Sequence, residues 1–152
     1  RGVDERHHFT LLCRDLAEIA VYAQVDNAQY RLLKATTPGS YTFILKATRE
    51  LPRRIQHPKR KTVGLRVPDH PLVRALLAEL NEPMLSSTLI LPGEDTPLTD
   101  PQEIRRRLEH DVDLVLEAGD CHAEATTVID LSGAEPQLIR VGCGSLTPFG
   151  FG

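Results

Sequence analysis

A chain of 152 residues with 41% hydrophobic and 26% charged residues has the make-up of a single globular domain, which excludes a disordered polymer and a two-domain protein. No run approaches the roughly 18 to 20 apolar residues of a membrane span and the start lacks an apolar signal segment, so the chain reads as cytoplasmic with no membrane partner. Cys13, Cys121 and Cys143 are odd in number and far apart, and none of the six histidines falls beside them at ligand spacing, so neither a disulfide framework nor a metal site is expected.

The chain opens at "RGVDERHHFTLLC" without a methionine and reads as a fragment. "HHFTLLC" is a short buried strand, followed by "RDLAEIAVYA", in which Leu16, Ile19, Ala20 and Ala23 recur at helical spacing. Asp26 and Asn27 cap a second helix that stops at Thr37-Pro38-Gly39, and "YTFILKA" (41–47) alternates as a strand should. "KTVGLRV" (61–67) is the next strand, and Pro68-Asp69-His70-Pro71 turns it into a helix over 72–80 with Leu72, Leu76 and Leu80 on one face and Val73 and Leu77 beside it. "PMLSS" is a strand, and Asp100 and Pro101 start the helix "PQEIRRRLEH" as N-cap and first residue. "VDLVLEAG", "TTVIDLS" and "PQLIRVG" read as three late strands, the last two joined at Gly133; "GCGSLTPFGFG" reads as a loop or linker stub. Strands alternate with helices early and pair as hairpins late, so a mixed α/β sheet is expected in one domain over 1–148 with a tail over 149–152.

Charge is unevenly spread. Between Lys46 and Arg66 stand eight Lys or Arg against the single acid Glu50. Such a stretch suits the phosphates of a nucleotide or of RNA, or is a solvated surface loop. On the strand "TVGLRVP", Thr62, Gly64 and Arg66 share one face while Val63, Leu65 and Val67 share the other. That first face offers a hydroxyl, a gap and a guanidinium able to grip a carboxylate or phosphate; the other reading is a half-exposed strand whose arginine pairs with a surface acid. "ATTVID" and "LIRVG" repeat the theme, and Asp130 on its apolar strand suits a satisfied structural carboxylate better than a catalytic base. There is no GxSxG, Walker loop or HExxH, so any chemistry here rests on positioning and electrostatic stabilisation rather than on a side-chain nucleophile.

Taken together, "HHFTLLCRDL", "TPGSYTFILKAT", "PRR", "KRKTVGLRVPDHP", "EPMLSSTLILPG", "TTVIDL" and "LIRVG" resemble, in order and spacing, the YrdC-like family of threonylcarbamoyl-adenylate synthases, and its YciO branch in particular. The resemblance implies an α/β twisted open mixed sheet with flanking helices and a basic concave cavity. It implies a nucleotidyltransferase activity, L-threonylcarbamoyladenylate synthesis from ATP, L-threonine and bicarbonate, with Mg²⁺ beside the ATP, in tRNA threonylcarbamoyladenosine biosynthesis. Some members bind double-stranded RNA, and a non-catalytic RNA- or nucleotide-binding module of the same fold is the alternative; RNA, double-stranded or tRNA, is thus an expected partner. By the same resemblance Arg66, Ser86 and Thr126 meet the threonine, while His8, Thr62, Thr88 and Arg140 meet the nucleotide. Arg1 matches the last residue of the family's Lys-x-Arg signature, and Arg1 and Arg66 are the expected catalytic cations, offsetting charge as N-carboxythreonine attacks the α-phosphorus and pyrophosphate leaves. The family's "PTDT-x-YG"-like substrate strand and the lysine of Lys-x-Arg would precede Arg1. Cys13 takes the place of a substrate-contacting histidine, and the family's Ser-x-Asn falls at Thr88-Leu89-Ile90, where isoleucine can neither coordinate Mg²⁺ nor donate to a phosphate.

Overall fold

Alternation along each strand decides which way the sheet faces. The protein is described by a computed structural model over residues 9–117 and 125–151. Six strands among the described residues, β1 (Thr10–Leu12), β2 (Tyr41–Lys46), β3 (Thr62–Arg66), β4 (Met84–Ser86), β5 (Thr127–Asp130) and β6 (Gln137–Arg140), form one sheet in the order β4-β1-β3-β2-β5-β6. β1 is parallel to β3 and β2 to β5, and the remaining pairs are antiparallel, which is the open mixed α/β sheet expected from the sequence.

One face of this sheet is the core. Leu11, Leu65, Phe43 and Ile129 stand in a single cross-strand row and are all buried. Helices α1 (Leu16–Tyr22) and α2 (Asn27–Thr36) add Ile19 and Leu33 to the same cluster, with Ala23, the C-cap of α1, beside them. Each fully buried Leu, Ile or Phe stabilises the fold by about 1.5–3 kcal/mol relative to exposure. The helix starts are fixed locally: the Asp15 carboxylate accepts from the Glu18 backbone N–H at 2.9 Å, and Asp26 and Gln29 form a reciprocal capping box. Asp100 caps α4 (Pro101–Leu108) with Pro101 in its first turn, as the sequence indicates. Among the described residues no helix is long and apolar enough to cross a membrane.

Three expectations change. Residues 112–117 of "VDLVLEAG" do not form a strand, and Val112, Leu114 and Leu116 are exposed. Alternation is necessary for a strand but a ladder partner is too, and no described strand offers one to this segment. In α3 (Pro71–Leu80) the buried centre is Leu77, whereas Leu80 is 44% exposed: the Leu72–Leu76–Leu80 stripe steps by four residues and so drifts round the helix away from the buried side. The segment read as a loop or linker stub folds back on the core instead. Phe149 is buried in a 3-10 turn (Thr147–Phe149), its ring 5.4 Å from that of Tyr41, and the Tyr41 hydroxyl donates to the Ser145 carbonyl at 2.7 Å. Gly144 permits this approach, because a Cβ there would lie 2.5 Å from the Tyr41 ring.

Candidate functional site

The opposite face of the sheet carries different chemistry. Ser86, Thr10, Gly64, Ile44 and Asp130 form one cross-strand row, with Leu12–Arg66 and Thr42–Val128–Arg140 pairing alongside. These are the residues offset by one from the core row on each strand, so the alternation that buries Leu65 and Phe43 also turns Arg66 and Thr42 the other way. A groove with two lobes runs over this face. The narrower lobe, about 270 Å³, is walled by Arg66, Arg140 and the hydroxyls of Thr42, Thr126, Ser86 and Thr88. The wider lobe, about 380 Å³, is lined by Thr62, Gly64, Ile44 and Phe9 on one side and Ile55, His57 and Arg60 on the other. Among the described residues neither lobe is lined by a carboxylate.

Arg66 is the electrostatic centre of the narrow lobe. Its Nε is buried with no hydrogen-bond partner, and among the described residues neither Arg66 nor Arg140 has a carboxylate within ion-pair distance. Burial, and next the like charge of Arg140, lower the pKa of the Arg66 guanidinium from its usual value. A buried donor left unpaired costs about 1–3 kcal/mol, so the fold holds here a cation that an incoming anion would satisfy. Arg140 is itself held in place. Its Nε and Nη2 donate to the Thr126 carbonyl at 3.0 and 2.8 Å, and Nη2 also donates to Thr126 Oγ1 at 3.0 Å. Thr126 Oγ1 and Thr42 Oγ1 share a hydrogen bond of 2.8 Å, and Ser86 Oγ donates to the Thr10 carbonyl at 3.0 Å, tying β4 to β1.

The structure thus brings together Arg66, Ser86, Thr88, Thr126 and Arg140 in one lobe, and places Thr62, which is buried, in the other. Arg1 and His8 lie outside the described residues. The shared face of Thr62, Gly64 and Arg66 is as the strand pattern indicates, with Val63 and Leu65 buried on the other side. Asp130 is a structural carboxylate: its Oδ1 accepts from the Ser132 backbone N–H at 2.8 Å and from Ser132 Oγ at 2.6 Å. Ile90 lines neither lobe. With no carboxylate among the described lining residues, their donor set does not fit a divalent cation held by protein ligands. Sequence reasoning passed over Thr10, Thr42 and His57, and had Arg60 only as one cation of the basic stretch. Thr42 had a signal, since it is the polar member of the alternating "YTFIL", but its place beside Thr126 depends on β2 pairing with β5.

The basic stretch is divided rather than gathered on one edge. Arg60 and Arg66 reach the groove, whereas Arg49, Arg53 and Lys61 line a separate depression of about 660 Å³.

The fold and this face define a class: an open-sheet α/β domain with a cationic, hydroxyl-lined groove. The chain belongs to the Sua5/YciO/YrdC family, whose model, described as "Telomere recombination", matches residues 1–142. A protein of Haemophilus influenzae described as uncharacterized is 54% identical over 150 residues, covering 98% of this chain and 72% of that one. The crystal structure of Escherichia coli YciO superposes with a TM-score of 0.89 at 51% identity, covering 97% of this chain and 71% of that one. A threonylcarbamoyl-AMP synthase of Vibrio vulnificus is 28% identical over 117 residues, covering 74% of this chain and 62% of that one.

Proposed function

We propose that the groove joins ATP, L-threonine and bicarbonate into threonylcarbamoyl-adenylate. The observation that carries this reading is Arg66: a partly buried guanidinium with a buried, unsatisfied Nε beside a second arginine, in a lobe that no carboxylate lines among the described residues. The synthase relative from Vibrio vulnificus supports the same reaction class. Threonine and bicarbonate would first condense to N-carboxythreonine with loss of water. A carboxylate oxygen of that carbamate attacks the α-phosphorus, and the bond to the β-phosphate oxygen breaks with its electron pair leaving on pyrophosphate. Arg66 holds the threonine carboxylate with Ser86 and Thr126 around it, and Arg140, Thr62 and Thr88 hold the nucleotide. The guanidinium charges offset the negative charge that gathers on the phosphate oxygens as the bond to pyrophosphate lengthens. Mg²⁺ would come with the ATP phosphates rather than be held by the groove's own side chains.

The test is pyrophosphate release by the full-length protein. Release that requires both threonine and bicarbonate, and falls about 100-fold or more in Arg66→Ala, is the expected result. A full-length protein that binds neither ATP nor threonine would sink the reading.

A second reading, RNA binding, has its own observation: Arg49, Arg53, Arg54, Lys59, Arg60 and Lys61 have no acidic ion-pair partner among the described residues. Phosphate contacts by these cations predict an affinity for duplex RNA that falls steeply with salt. Binding that is absent or indifferent to salt counts against it.

A further inference from the structure

The two lobes are not separate sites. Thr10, Thr42 and Val128 line both, so they form the saddle across which one lobe opens into the other. Gly64, which lines the wider lobe, lies between Thr10 and Thr42 at the edge of that saddle. It pairs with Thr10 on β1 and with Ile44 on β2, and a Cβ built on it would meet only the Thr42 Cγ2 at 3.5 Å and the Thr10 Oγ1 at 3.7 Å. A side chain would therefore fit the fold at this position, and the glycine leaves open a gap between two threonines that the packing does not itself require.

The hydroxyls around the gap are arranged as donors. Arg140 donates to Thr126 Oγ1, and Thr126 Oγ1 shares one hydrogen with Thr42 Oγ1. Two hydroxyls carry two hydrogens and one of these lies between them, so the Thr42–Thr126 pair has one left for the groove, on oxygens that Arg140 polarises. On the other side of the gap the Thr10 carbonyl is taken by Ser86, and the Thr10 hydroxyl makes no hydrogen bond among the described residues.

We infer that Thr10, Gly64 and Thr42 are a contact site for the linkage that unites the two halves of the ligand, a mixed anhydride between a carbamate carboxyl group and the α-phosphate. The inference rests on the proposed synthase reading and adds residues that the reading itself does not use. A ligand confined to one lobe does not cross the saddle. With the threonine in the narrow lobe and the nucleotide reaching from Arg140 there to Thr62 in the wide lobe, the joined ligand passes the saddle close to its linking oxygens, within reach of one hydroxyl hydrogen from each side of Gly64.

The experiment compares a joined ligand with its halves. Calorimetry would measure binding of a sulfamate analogue of threonylcarbamoyl-adenylate, of adenosine and of L-threonine to the full-length protein and to two variants, Gly64→Ala and Thr10→Val/Thr42→Val. Both variants are expected to lose about tenfold or more on the joined analogue, the double variant through lost hydrogen bonds to a charged group and Gly64→Ala by filling the gap, and to keep adenosine and threonine within about threefold. Gly64→Ala is the variant safest for folding, since its methyl group meets ordinary van der Waals contacts only. Undiminished binding of the joined analogue by both variants overturns the inference and leaves the synthase reading standing, as does an equal loss on the separate halves. Failure of the unsubstituted protein to bind the analogue overturns both.

Discussion

One residue separates the two faces of this sheet, and they differ in how polar groups are treated. On the core side, Leu11, Leu65, Phe43 and Ile129 are sealed beneath α1, α2 and the turn that carries Phe149. Even the charged group at its margin is satisfied: Glu18, buried, accepts from the Arg14 backbone N–H at 2.9 Å and pairs with the Arg14 guanidinium at 2.7 Å, and Arg14 reaches on to Asn81. On the groove side, Arg66 and Arg140 face the same lobe with no carboxylate between them among the described residues. Elsewhere some arginines are paired, as in Arg107 with Glu94 at 2.8 Å and Arg74 with Asp69 at 3.5 Å, and Arg49, Arg53, Arg54 and Arg60, which have no acidic partner among the described residues, are exposed to solvent. The difference teaches that the groove face is built for something brought to it, because polar groups that serve only the fold are neutralised by it.

The comparison can be broken by substitution. On the core face, Phe43→Ala should remove about 3–5 kcal/mol of stability, a large part of what a domain of this size possesses, as a shifted denaturation midpoint would register. A second probe of that face is Cys13, whose thiol is pushed up to about 12 by burial first and then by Glu18 and Asp15. A folded pKa above the ordinary 9.0 stabilises the fold fully below pH 9.0, and that contribution is lost as the pH rises from there toward about 12. Unfolding measured across this range should therefore steepen its decline in the unsubstituted protein relative to Cys13→Ala; parallel curves would contradict the assignment.

On the groove face the effects should fall on ligands rather than on folding. Thr126→Val removes one of the acceptors that hold Arg140 and should weaken ATP binding about tenfold by calorimetry, with the denaturation midpoint little changed. The smallest effect is expected at Ile90, whose side chain lines neither lobe. Ile90→Asn should leave ATP affinity within about twofold, the range of substitutions away from structural features. A large gain would instead bring this residue into the site.

Much of this arrangement was legible in the sequence, and the reasons are local. A strand's two faces follow from period-two alternation, so "TVGLRV" and "YTFIL" declare which residues go to the core, and Asp26, Asp100 and Pro101 declare helix starts by their hydrogen-bonding chemistry. What was not legible depends on which strands become neighbours. Thr10 and Thr42 become a pair across Gly64 only because β3 lies between β1 and β2, 52 residues of chain after β1 begins at Thr10 in the case of Thr62. The same non-locality hid Phe149, which needs Tyr41 to pack against, and misled the reading of 112–117, whose alternation finds no ladder. The groove's single residues were readable; its saddle was not.

The most direct measurement is the thermal unfolding midpoint of the full-length protein and of Arg66→Met, each with and without ATP and L-threonine together. If Arg66 is a cation held for an anion, the unsubstituted midpoint rises with the ligands, while the variant is at least as stable alone and does not respond to them. A variant that is less stable without ligand, or that keeps the full ligand-induced rise, would contradict the account.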